Sequence, residues 1–189
     1  MNIRSKMNEY NGVASNANAR EGWRDQIGII LEKFRGQLLR LDRCLRNANL
    51  KVLADEENAT GCCVEITDFV DKAGPIVKEA RESTSQFKTL LDIVFVSSLR
   101  IDHALQERLL HHTDVIIAQA ASFFDKISEY RNRRMEICSE FNIFLEVNHR
   151  ALIDFDQNQL GITRMSAVTI SSSLQFLCMS MEASLNDSA

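Results

Sequence analysis

The stretch Val94–Glu107, VFVSSLRIDHALQE, decides the fold. It lies between the two longest uninterrupted three-four patterns in the chain, and it contains neither Gly nor Pro, so it leaves room only for a short, tight connection. Upstream, apolar or small residues recur at Ile66, Val70, Ala73, Val77, Ala80, Thr84, Phe87, Leu91 and Val94. Downstream, Ile116, Ala120, Phe123, Ile127, Tyr130, Arg134, Ile137 and Phe141 repeat the alternation. Each pattern is one stripe of a helix, and a short link between two striped helices folds them into an antiparallel hairpin. Whatever protrudes at that end of the molecule protrudes here, where a loop is free to carry function.

The rest of the chain extends this reading to an all-α protein. Its 189 residues include one Pro and seven Gly. Turn chemistry is therefore scarce, and the one hairpin-type dipeptide, Asn11-Gly12, falls in a polar amino-terminal segment. With 45% hydrophobic and 25% charged residues the composition is that of a soluble domain able to bury a core. The net charge of −4 and a pI near 5.6 supply no broad basic field for nucleic acid or anionic lipid. Arg131, Arg133 and Arg134 form a basic cluster that reads as a solvated face or as intersubunit salt bridges. No apolar run approaches the roughly 20 residues of a membrane span, and residues 1–16 lack the apolar centre of a signal peptide. The expected location is cytoplasmic or nuclear, and the five cysteines, including adjacent Cys62 and Cys63, follow no disulfide or zinc spacing.

In chain order the sequence predicts a mobile tail over residues 1–17 and a single helical domain over 18–185. The first helix, about 18–49, carries Trp23, Ile27, Ile30, Phe34, Leu38, Leu41 and Leu45 inward. A linker follows to Gly61. The second helix, about 62–96, contains Gly74-Pro75, but the stripe keeps its register on both sides, which predicts a kink or local break inside one element. The third spans about 104–141, and 142–148 connect it to a fourth over about 149–185 with Leu152, Phe155, Thr163, Ile170, Leu174, Leu177 and Met181 inward. Residues 186–189 form a short polar end.

Motifs for chemistry are scarce. His111 and His112 point about 100° apart on a helix and cannot share a metal. Glu146-x-x-His149 is half of a di-iron bundle motif, which needs a second such pair and two more carboxylates, and it falls in an expected loop. The chain has no Gly-x-Ser-x-Gly elbow, phosphate-cradling loop or dinucleotide fingerprint. No cation flanks Cys62-Cys63 to activate a thiolate. The expectation is a non-enzymatic protein with no metal and no cofactor. A metal oxidase or thiol enzyme would require bound metal or a thiolate of depressed pKa.

One run is more specific. Ala121-Ser-Phe-Phe-Asp-Lys-Ile-Ser-Glu-Tyr130, followed by Arg134, resembles the third helix of the eleven-S (REG) proteasome activators. Three further segments are similar to that family in the same order. Pro75-Ile-Val-Lys78 with Phe87-Lys-Thr-Leu-Leu-Asp-Ile-Val-Phe95 looks like its second helix, Leu90 standing where the family has a tryptophan. Ala104-Leu-Gln-Glu107 resembles the opening of its third helix. Asp156, Leu160 and Arg164, with Arg150 upstream, match the spacing of its last. The resemblance covers about Pro75 to Leu185, and the first helix matches only as an amphipathic segment.

The resemblance implies a long antiparallel four-helix bundle that assembles with itself into a heptameric ring. Such a ring caps the α-ring of the 20S proteasome without ATP, docks by carboxy-terminal tails and displaces the gating tails with the loop between helices two and three. By position, Ser97, Ser98, Leu99, Arg100, Ile101, Asp102 and His103 would be the activation loop, and Asp187, Ser188 and Ala189 the docking tail. This loop is shorter than the family's and lacks its Gly-Asn-Asn-Phe-Gly element, and the tail ends in small polar residues where many members carry a bulky one. The competing expectation is a helical-bundle adaptor whose stripes are only core.

Overall fold

The computed structural model describes residues 3–48, 63–96, 103–140 and 146–186. They form four helices and, among the described residues, no strand: α1 Ile3–Asn47, α2 Val64–Val96, α3 His103–Glu140 and α4 Glu146–Asn186. Bonds between helices show that every neighbouring pair runs antiparallel. Lys33 reaches Gln86 and Gln37 reaches Ser83 between α1 and α2, so the numbers fall on one helix as they rise on the other. Lys88–Asp114 and Gly74 against Phe124 give the same sense for α2 and α3. His112–Ser173 and Tyr130–Asp156 do so for α3 and α4, and Arg35–Glu182 and Asp42–Ser171 for α4 and α1. The protein is an up-down-up-down four-helix bundle.

The stripes read from the sequence line its interior. Phe34, Leu41, Val77, Ala80, Phe87, Ile116, Ala120, Phe123, Ile170, Leu174 and Leu177 are buried. Phe34 meets Phe87 edge to face at 5.8 Å and 88°, the arrangement the ring quadrupoles favour. Each of the buried Phe, Leu, Ile and Val side chains contributes about 1.5–3 kcal/mol by leaving water. Leu38, Leu45, Val70 and Phe155, also assigned inward, are partly buried against the core.

Element ends differ from the expectation in two places. α1 reaches back to Ile3, not to residue 18. Residues 3–17 contain no Pro, and extending an existing helix needs no new nucleus. α2 is one element across Gly74-Pro75, as the unbroken register of its stripe predicts, and stays helical through Pro75 without a local break. The missing N–H frees the Asp71 carbonyl, and because Pro75 and Asp71 are both exposed, water can satisfy it. α4 begins at Glu146, which puts Glu146 and His149 in its first turn instead of in a loop.

The interior also holds polar groups between α1 and α2. Gln37 Nε2 donates to Ser83 Oγ at 2.8 Å, while Gln37 Oε1 and the fully buried Thr84 hydroxyl have no hydrogen-bond partner. An unmet buried hydroxyl costs about 1–3 kcal/mol. Thr84→Val, which keeps the branched shape and removes the hydroxyl, is expected to stabilise the fold by about 1 kcal/mol in urea unfolding. Equal or lower stability would mean that the hydroxyl is satisfied in solution.

Candidate functional site

The antiparallel order sorts the connections to two ends. α1 and α3 finish, and α2 and α4 start, at one end. At the other, α2 finishes at Val96, α3 starts at His103 and α4 finishes at Asn186. The candidate loop and the candidate tail therefore both leave the bundle at the second end. Ser97, Ser98, Leu99, Arg100, Ile101 and Asp102 lie outside the described residues, as do Asp187, Ser188 and Ala189. His103 is exposed as the first residue of α3, with Nδ1 3.6 Å from Glu107 Oε1 one turn on.

Side chains brace that end. Lys88 Nζ donates to Asp114 Oδ1 at 2.6 Å between α2 and α3. Arg35 donates to Glu182 Oε1 through Nη2 at 2.8 Å and Nε at 3.1 Å, joining α1 to α4 near its last turn, and Glu32 pairs with the same guanidinium. Exposed pairs of this kind are each worth less than about 1 kcal/mol, so they orient the helices more than they hold them. A part-buried aromatic contact adds to them. The His112 ring stacks on Phe176 at 3.9 Å and its Nδ1 lies 3.3 Å from Ser173 Oγ.

Burial, helped by the neighbouring His111, lowers the His112 pKa below its usual 6.5. The folded chain thus holds this proton more weakly than the unfolded chain does. Stability contributed by neutral His112 is present above pH 6.5 and is lost as the pH falls through the folded pKa. Thermal stability measured from pH 7.5 to 5 is expected to decline in wild type and to decline less in His112→Gln. Parallel profiles would remove His112 as the source.

At the opposite end the structure builds a centre that three-four counting does not announce. Asp156 of α4 is buried, and its Oδ1 accepts from the Tyr130 hydroxyl at 2.8 Å. Arg134 Nε donates to both carboxylate oxygens, at 3.0 and 3.1 Å. The Cys63 backbone N–H donates to the Tyr130 hydroxyl at 3.4 Å, which ties the start of α2 to the same group. The sequence signal was the resemblance, which marked Tyr130, Arg134 and Asp156 separately; periodicity alone placed Arg134 in an apolar stripe without naming its partner.

The electrostatics there are those of a clamp. Burial, then the charge and hydrogen bond of Asp156, push the Tyr130 phenol above its usual value. Burial opposes the Arg134 charge, but the hydrogen bond to Asp156 and its charge outweigh that and leave the pKa raised. Burial pushes the Cys63 thiol up to about 12, so it is protonated at neutral pH, and its Sγ donates to Glu65 Oε2 at 3.1 Å. A buried, protonated thiol is a weak nucleophile. Cys62 lies outside the described residues. Among the described residues, three or more His, Cys, Asp or Glu side chains nowhere gather as metal ligands. No described helix is long and apolar enough to cross a membrane.

No family model and no curated protein matches this chain. The described residues define the class as an all-α four-helix bundle.

Removing one partner of a buried ion pair leaves the other charge stranded. Asp156→Ala is expected to cost about 3–5 kcal/mol in urea unfolding, and Asp156→Leu combined with Arg134→Met to recover much of it. A loss below about 1 kcal/mol for Asp156→Ala would mean that water reaches the pair.

Proposed function

We propose that this protein is an ATP-independent activator of the 20S proteasome, working as a heptameric ring. The carboxy-terminal tails Asp187–Ala189 dock on the proteasome α-ring and the Ser97–His103 connection opens its gate. The observation that carries this reading is the placement of the ends: the α2–α3 connection and the last turn of α4 leave the bundle on the same side. A device that docks by one segment and pushes with another needs both to face the same partner. Seven such tails on one ring gain avidity even when each binds weakly. The order of family-like segments from Pro75 to Arg164 supports the same reading, as does the pairing of Tyr130 and Arg134 with Asp156, since all three belong to those segments.

The protein acts as a regulator of a peptidase and needs no cofactor of its own. Two measurements test this. Light scattering on a sizing column is expected to give about 150 kDa, seven times the chain mass of 21.5 kDa. Added to a matched 20S particle, the ring is expected to raise hydrolysis of short fluorogenic peptides. Deleting Asn186–Ala189 is expected to leave the mass unchanged and abolish the stimulation. A chain that stays monomeric or dimeric and leaves peptide hydrolysis unchanged would favour the adaptor reading.

A further inference from the structure

An open groove of about 720 Å³ runs between α3 and α4, within the size range of ligand sites. Asp154 and Thr169 mark its ends on α4, which puts about 22 Å between them at 1.5 Å per residue. Its walls are mixed. Gln119, Gln157 and Asn158 are amides, a side chain with both donors and an acceptor, while Ile162 and the 63% exposed Met165 are apolar. Gly161 opens the middle of the groove, since a Cβ built there would meet nothing within 4 Å.

Two charges stand in this groove, and they do not meet. Lys126 is partly buried, and its backbone carbonyl accepts from Gln159 Nε2 at 3.3 Å, which fixes the level on α4 from which its stem departs. The stem runs toward the amino end of α3, the direction in which helical side chains lean, and Nζ ends 3.5 Å from Ser166 Oγ. That is a long contact for an ammonium with three donors. Ser166 is buried and donates its own proton to the Ile162 carbonyl at 3.4 Å. Among the described residues neither Lys126 nor Asp154 is joined to another charged side chain. Ser166 and Asp154 are about 18 Å apart along α4, so the two charges cannot neutralise each other.

We propose that this groove binds a short extended peptide segment, with a carboxylate at Lys126 and a cationic residue at Asp154. Five extended steps of about 3.3 Å cover about 17 Å, so opposite charges five residues apart match the two positions. The amides of Gln119, Gln157 and Asn158 suit the alternating N–H and C=O groups of a peptide backbone, and Ile162 and Met165 suit its inward side chains. A phosphate or a nucleic acid fits poorly. It brings more negative charge than one ammonium can meet, and Asp154 repels the remainder. A ligand much smaller than a peptide would reach only one of the two charges. The site is separate from the activator reading and stands whether or not the ring forms.

The test titrates the full chain against the hexapeptide Lys-Val-Ser-Val-Ser-Glu, amidated at one end and carrying a dye on the other, with binding read by fluorescence anisotropy. Saturable binding is expected below about 1 mM. Lys126→Ala, or Gln in place of the peptide's Glu, is expected to weaken it about fivefold, the size of a partly exposed ion pair. Gly161→Leu fills the groove from an exposed position with a better helix former and is expected to abolish binding. The charge swap Lys126→Glu/Asp154→Lys is expected to prefer the reversed peptide Glu-Val-Ser-Val-Ser-Lys. Helicity and thermal unfolding confirm that each variant folds. A second probe, Lys-Val-Ser-Val-Ser with a free terminal carboxylate, separates a chain terminus from an internal acidic side chain, and binding of either probe supports the proposal. No saturable binding of either peptide overturns it, as does binding that ignores both Lys126→Ala and Gly161→Leu, or a charge swap that leaves the preference unchanged. Tighter binding of inorganic phosphate or single-stranded DNA, lost with Lys126→Ala, overturns it as well.

Discussion

Taking the carboxylate of Asp156 out of water costs several kcal/mol, and the bundle recovers that cost only when α3 delivers Arg134 and Tyr130 to it in one particular register. Apolar stripes with three-four spacing do not by themselves demand this. Two of them slid past each other by seven residues still bury side chains of similar size, so the penalty for a slip is modest. A buried charge has no such tolerance. One heptad of slip would leave Asp156 against apolar neighbours and strand Arg134. The hydrogen bond from the Cys63 backbone to Tyr130 extends the constraint to α2, so three of the four helices share one reference point.

That reference point lies at the end away from the candidate loop and tail. Between the two ends runs a core of Phe, Leu, Ile and Ala that transmits position because it is packed, and toward the far end the ties become exposed pairs such as Lys88–Asp114 and Arg35–Glu182. The stronger clamp sits where α1 and α3 finish and α2 and α4 start, and the weaker ties where a partner would be engaged. Cys63, with its thiol raised to about 12 by burial, stays protonated at neutral pH, and Glu146 and His149 fall in the first turn of α4.

The outer surface makes a related point about charge. Placing a Glu or Lys on an exposed helix face costs almost nothing, and α1 to α3 carry many. A run of exposed positions from Gln157 to Met179 without one leaves apolar and small side chains in water. Such a face differs from a core stripe in lacking a partner within the same chain.

The sequence by itself determined the class of the fold, the number of helices and their order, because these depend on local periodicity and on the shortage of Gly and Pro. Phe34, Val77, Phe87, Ile116, Phe123 and Leu174 could be assigned inward from spacing alone, and they are buried. The start of α1 at Ile3 was not legible, because helix propagation depends on what surrounds the segment, whereas the continuity of α2 across Pro75 could be read from the register of its stripe. The connection between the second and third helices could be singled out from the two stripes that flank it, but the roles given to it and to the tail came only through resemblance to a family. Which partner Arg134 takes and whether the Thr84 hydroxyl is met were decided by tertiary structure. Each depends on which residues far apart in the chain come within a few ångströms, and periodicity along one helix carries no information about its neighbour's register.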